Sequence, residues 1–113
     1  MVPGEIYLAN FPFGGSPGMK LRPVLLLTGP VGSVPEILVA YISSVIPATP
    51  LRSDIILDPR QPDHRTTNLK LVSVMRLHKL ATIHGSSIVR RLGKLPPATS
   101  TDVSAKLKSL LNL

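Results

Sequence analysis

Three short stretches carry side chains able to act on a phosphate. The first is Lys20-Leu21-Arg22-Pro23, which leads directly into the apolar run Val24-Leu25-Leu26-Leu27. Pro23 biases Arg22 toward an extended backbone and withholds a ladder donor. Arg22 is thus a cation held where a loop ends and a buried strand begins, a rigid place from which a guanidinium fork can meet phosphate oxygens. The second stretch is Ser43-Ser44, two hydroxyls that interrupt the apolar run starting at Ile37. If the strands holding these stretches are antiparallel neighbours, the second returns its far end to the start of the first and brings Ser43 or Ser44 beside Arg22. A serine at a strand end also bonds readily to nearby backbone. The third stretch is Val74-Met75-Arg76-Leu77-His78-Lys79. A strand period of two sets Val74, Arg76 and His78 on one face, so a guanidinium and a titratable imidazole stand together. His64 and His84 sit in turn-like contexts, and no spacing of histidines or carboxylates suits a metal site. There is no glycine loop of the nucleotide-hydrolase type.

Positioning these groups falls to short strands. Twelve prolines and eight glycines in 113 residues cut the chain into brief extended pieces, which favours an all-β core. Residues 5–10 alternate as a strand. Residues 11–20 form a Gly- and Pro-rich loop, 21–28 a buried strand and 36–46 a long apolar strand rich in β-formers. Residues 53–57 make a short strand stopped by Asp58-Pro59, and 60–67 a polar turn. A strand over 70–80 is followed by edge pieces at 82–83 and 88–92. Pro96-Pro97 then opens a helix over about 97–111, with Val103, Leu107, Leu110 and Leu111 on one face. Asp102 early and Lys106 and Lys108 late suit its macrodipole. The expected architecture is a single domain spanning 1–113, a small antiparallel barrel over about 4–95 carrying one C-terminal helix.

The hydrophobic fraction of 43% suits a globular chain. No apolar run is long enough to span a bilayer, and the N-terminus has no signal-like segment, so a cytoplasmic location is expected. With no cysteine, disulfides and thiolate chemistry are excluded. The net charge is +7. The excess is concentrated: from His64 to Thr101 lie Arg65, Lys70, Arg76, Lys79, Arg90, Arg91 and Lys94 with no acid among them. Such a block attracts polyanions.

Four segments recur in family order: Gly4-Glu5-Ile6-Tyr7-Leu8-Ala9-Asn10, Lys20-Leu21-Arg22-Pro23-Val24-Leu25-Leu26-Leu27, Val39-Ala40-Tyr41-Ile42-Ser43-Ser44, and Ser73-Val74-Met75-Arg76-Leu77-His78-Lys79-Leu80-Ala81-Thr82-Ile83. In this the chain resembles the MazF/PemK family of toxin–antitoxin ribonucleases over nearly its whole length. The resemblance implies a mainly β, SH3-like barrel of the CcdB/Kid/MazF type. It implies a homodimer that cuts single-stranded RNA without metal or cofactor, leaving a 2′,3′-cyclic phosphate and a 5′-hydroxyl. The family's catalytic arginine falls on Arg22 and its threonine on Ser43, with Ser44 next to it. In the Kid/PemK branch an arginine and an aspartate two apart also serve the site; they fall on Arg76 and His78, so this chain departs from that carboxylate.

The loop 11–20 would close over RNA, with Lys20 on a phosphate, Phe11 or Phe13 stacking on bases, and Met19 and Lys79 as further contacts. Core packing beneath the loop is the equal alternative for Phe11 and Phe13. An acidic antitoxin is the expected partner, with DNA reached only through it and no membrane contact. Two rival readings use the same fold. One is a gyrase poison, whose C-terminal tryptophan this chain lacks; the other is a nucleic-acid-binding module without catalysis.

Overall fold

Alternation and β-branching produce extended segments wherever proline and glycine permit. The computed structural model describes residues 1–11 and 20–113. Among them are β1 (Glu5–Phe11), β2 (Lys20–Leu26), β3 (Glu36–Ser43), β4 (Asp54–Leu57), β5 (Ser73–His84) and β6 (Ile88–Lys94). A 3-10 turn covers Pro62–Thr67, and helix α1 covers Pro97–Leu111. The strands form one antiparallel sheet in the order β4-β5-β3-β2-β1-β6.

Strands β2 and β3 read as continuous apolar runs because both of their faces are covered. Leu25, Ala40 and Ile42 join Ile6, Met75 and Leu57 in one cluster, into which Val103 and Leu107 of α1 pack. Val24, Leu26, Ile37 and Val39 point the other way and join Ala9, Phe11 and Ile83. Adjacent residues of one strand therefore serve two cores, as a period of two requires.

The edges β4 and β6 are not paired with each other, so the barrel is open there. The 3-10 turn bridges the gap. Thr66 Oγ1 donates to the Lys94 carbonyl at 3.0 Å, and Asn68 Nδ2 donates to the Leu92 carbonyl at 2.7 Å. Gly93 allows this approach: a Cβ there would lie 2.1 Å from the Thr66 carbonyl oxygen and 2.7 Å from that of Thr67. Asn68 ends the turn in the left-handed region at φ 55°, a conformation asparagine tolerates better than most residues.

Several boundaries differ from expectation. β3 stops at Ser43, whose Oγ accepts the Val45 N–H and turns the chain, leaving Val45 and Ile46 exposed. β5 begins at Ser73 and runs unbroken to His84, absorbing the piece at 82–83. Its register on β3 jumps from Ala40↔Leu80 to Tyr41↔Arg76, so Leu77, His78 and Lys79 bulge out of the ladder. The helix spans Pro97–Leu111 as expected, but that start puts Asp102 beyond the first turn, and only Lys108 of the expected charges lies where the macrodipole is felt. Val103 is buried, whereas Leu110 and Leu111 are exposed because the last turn carries them past the core.

Glu5 ties the start of β1 to β6 through Arg91. The Arg91 guanidinium, and then the Val2 N–H, hold the Glu5 carboxyl below its ordinary range. A carboxyl lowered by folding stabilises the fold above its unfolded pKa, and that contribution fades as pH falls through the lowered folded value. The stability gap between the wild type and Arg91→Gln, followed by urea unfolding, should be present at neutral pH and vanish in acid. Gly93→Ala should destabilise by roughly 1–3 kcal/mol, the usual range for overpacking, in the same assay.

Candidate nucleic-acid cleft

Arg22 reaches its place through two registers. On one side it pairs with Ala9 of β1. On the other, Val24, Leu25 and Leu26 pair with Tyr41, Ala40 and Val39; continued two residues, the same register sets Ser43 across from Arg22. Both residues line a cleft of about 360 Å³, together with Ser44, Tyr41, Asn68, Lys70 and Arg90. Leu8, Leu69, Leu71 and Leu92, with Pro23, Ile42 and Val45, provide its apolar lining. No Asp, Glu or His occurs among its described lining residues. Three cations from three separate segments thus face one partly apolar concavity with no internal counter-charge, an arrangement that concentrates anions.

Ser43 is nearly buried, and its Oγ accepts the Val45 N–H at 3.0 Å. A hydroxyl that accepts from backbone still has its own proton to donate. The backbone bond that the sequence left as an alternative role therefore orients Ser43 rather than occupying its donor. Ser44 lies beside it, exposed.

Arg76 and His78 do come together, but not in this cleft. Arg76 donates from Nε and Nη2 to the two carboxylate oxygens of Asp54, at 3.1 and 3.2 Å. Asp54 Oδ2 also accepts the Leu51 N–H at 2.8 Å, and the Asp54 side chain is fully buried. His78 Nδ1 lies 4.0 Å from Asp54 Oδ1. The pair expected to flank a phosphate instead flanks a carboxylate supplied by β4. Tyr41 connects the two groups: it lines the cleft, pairs with Arg76 across β3 and β5, and carries Lys79 Nζ 5.8 Å from its ring centroid.

Of the expected substrate contacts, Lys20 is exposed at the head of β2. Phe11 is a correction as a base-stacking residue: only 4% exposed, its ring fills the second core cluster. Phe13 and Met19 lie outside the described residues. Sequence reasoning assigned Asp54 and Tyr41 no site role, and it placed Lys70 and Arg90 only in the general basic block. The alternation of Arg90 and Leu92 against Val89 and Arg91 was the one local signal for the last of these.

Fold and cleft together define a small, open antiparallel barrel that offers a cationic, acid-free concavity at the junction of β2 and β3. The chain matches the profile of PemK-like, MazF-like toxins of type II toxin–antitoxin systems over residues 2–111, and it belongs to that family. No curated protein matches it. Among solved structures, the Mycobacterium tuberculosis toxin MazF-mt6 is 21% identical with a TM-score of 0.72, over 96% of this chain and 97% of its own. A MazF of Deinococcus radiodurans is 21% identical with a TM-score of 0.70, over 100% and 97%. A mycobacterial endoribonuclease solved with its cognate antitoxin is 15% identical with a TM-score of 0.68, over 100% and 96%. At these identities the structural likenesses establish the fold.

The Arg22 side chain makes no hydrogen bond or ion pair among the described residues, whereas Arg76 neutralises a buried charge. Arg76→Met should therefore cost roughly 3 kcal/mol or more, and Arg22→Ala no more than about 0.5 kcal/mol. Urea unfolding of the two variants measures the contrast, and equal losses would contradict it.

Proposed function

We propose that this protein is an endoribonuclease toxin that cuts single-stranded RNA in the Arg22–Ser43 cleft. The observation that carries the reading is that Arg22 and Ser43, brought to the same end of the β2–β3 pair by its register, both line a cationic cleft whose described lining holds no acid. In the proposed reaction the substrate's own 2′-oxygen attacks the adjacent phosphorus. The bond from phosphorus to the 5′-oxygen breaks, a proton leaves the 2′-hydroxyl and another reaches the 5′-oxygen. The products are a 2′,3′-cyclic phosphate and a 5′-hydroxyl.

Arg22 suits the charge that builds on the phosphorane, since a guanidinium matches two non-bridging oxygens at once. Ser43, oriented by Val45, donates to the same group in the manner of an oxyanion hole; one such donor is worth about 3 kcal/mol. Ser44 stands next to it as a second hydroxyl. The cleft's described lining offers neither carboxylate nor imidazole, which supports a route driven by positioning and charge rather than by a bound metal. His78 is the proposed proton carrier. It does not line the cleft, so it would exchange protons with the substrate through an intervening water, with Asp54 and Arg76 fixing its surroundings. Arg22 is the rival for that task, although a guanidinium gives up its proton reluctantly.

The physiological reading follows from that chemistry. Cutting messenger RNA in the cytoplasm would stop translation and growth. The active form would be a homodimer restrained by an acidic antitoxin that covers the basic surface and alone contacts DNA.

Purified protein should cut a mixed RNA pool with EDTA present. Arg22→Ala should slow cutting at least about 100-fold, the usual loss for a charge-stabilising donor, while the unfolding midpoint stays in place. RNA binding without any cutting would overturn the reading. His78→Ala should reshape the pH–rate profile; an unchanged profile would return the proton transfers to Arg22.

A further inference from the structure

The basic block that dominates the second half of the sequence separates by function once it is folded. Arg76 is paired with Asp54, Arg91 with Glu5, and Lys79 stands over Tyr41. Of the seven cations in the block, Lys70 and Arg90 line the cleft that holds Arg22. They arrive from unrelated segments, and β6 is shaped to deliver one of them. The β1–β6 register shifts twice, between Ile6 and Tyr7 and again between Leu8 and Ala9. Arg90 and Arg91 lie between these irregularities, which re-aim side chains. Arg90 lines the cleft with Leu92, while Arg91 turns away to Glu5.

We propose that Lys70 and Arg90 form a second phosphate-binding subsite, so that the cleft seats one nucleotide of a single RNA strand between two held phosphates. The proposal rests on the ribonuclease reading for the identity of the polyanion. Arg22 and Arg90 flank β1 on opposite sides, paired with its neighbouring residues Ala9 and Leu8. Their backbones are thus two strand spacings, about 10 Å, apart. Between them the 360 Å³ cleft is lined by Leu8, Leu69 and Leu92, at the small end of ligand pockets. Arg22 takes the phosphate that reacts. The leucines take the face of the base, which is apolar in every nucleotide. Lys70 and Arg90 take the neighbouring phosphate and fix the register of the strand. Both are exposed, and neither side chain makes a hydrogen bond or ion pair among the described residues, so their charge is available for a ligand.

The test uses a labelled, short, random-sequence RNA with 2′-O-methyl riboses, which cannot undergo attack by its own 2′-oxygen. Lys70→Gln and Arg90→Gln should each weaken its binding roughly five- to tenfold. Each should also reduce the slope of log K against log salt by about 0.7, the share of one phosphate contact on a single strand. Lys108→Gln, the same charge change on the helix, should alter neither. With cleavable RNA the two cleft variants should raise KM by more than they lower kcat, and Arg90→Lys should recover most of the binding. If the cleft variants behave like Lys108→Gln, the subsite is wrong. A wild type that cuts RNA while the variants keep its KM removes the subsite and leaves the ribonuclease. A wild type that binds the probe with these variant effects but cuts no RNA removes the ribonuclease and leaves the subsite.

Discussion

The register of β2 on β3 is the constraint from which the rest of the molecule follows. Both strands are buried on both faces, so Val24 and Leu26 belong to one core and Leu25 to the other. A slip of one residue would exchange the two sets and leave neither core packed. The register that satisfies packing is also the one that, two residues on, sets Arg22 across from Ser43. A candidate catalytic pair is thus held by hydrophobic burial that has no part in chemistry. Loops need not supply the precision.

A second constraint works at the open edge of the barrel. β4 and β6 are the two unpaired edges, and the 3-10 turn and Asn68 span the gap with side-chain to backbone bonds to β6. That closure has a consequence for the cleft. The segment leaving the turn carries Leu69 into the core and Lys70 to the cleft lining. The close approach at Gly93 and the placement of a cleft cation are therefore parts of one arrangement.

What could be read from the chain depended on the range of the interaction. The extended, proline-led entry at Arg22 is local, and with the return of an antiparallel neighbour it led to the expectation that Ser43 or Ser44 stands near Arg22; all three line one cleft. The shared neighbourhood of Arg76 and His78 also followed from period. Its purpose did not, because Asp54 comes from a four-residue strand whose pairing with β5 no local pattern announces. The bulge at 77–79 was hidden for the same reason: an uninterrupted β-forming run looks alike whether or not its partner keeps step. Phe11 is an aromatic beside a glycine-rich loop, a pattern shared by stacking residues and core residues, and only burial distinguishes them. The last turn of the helix shows the converse. Its leucines keep the apolar period, but the core they would cover ends before they reach it.

The central claim is that Arg22 and Ser43 serve an attack by the substrate's own 2′-oxygen. The chemical ends of the RNA fragments test it most directly. Mass spectrometry of the products formed in EDTA is predicted to show 2′,3′-cyclic phosphate and 5′-hydroxyl ends, and none from RNA with 2′-deoxy sugar at the cut position. Fragments ending in 3′-hydroxyl and 5′-phosphate, or cutting that persists at the 2′-deoxy position, would contradict the account.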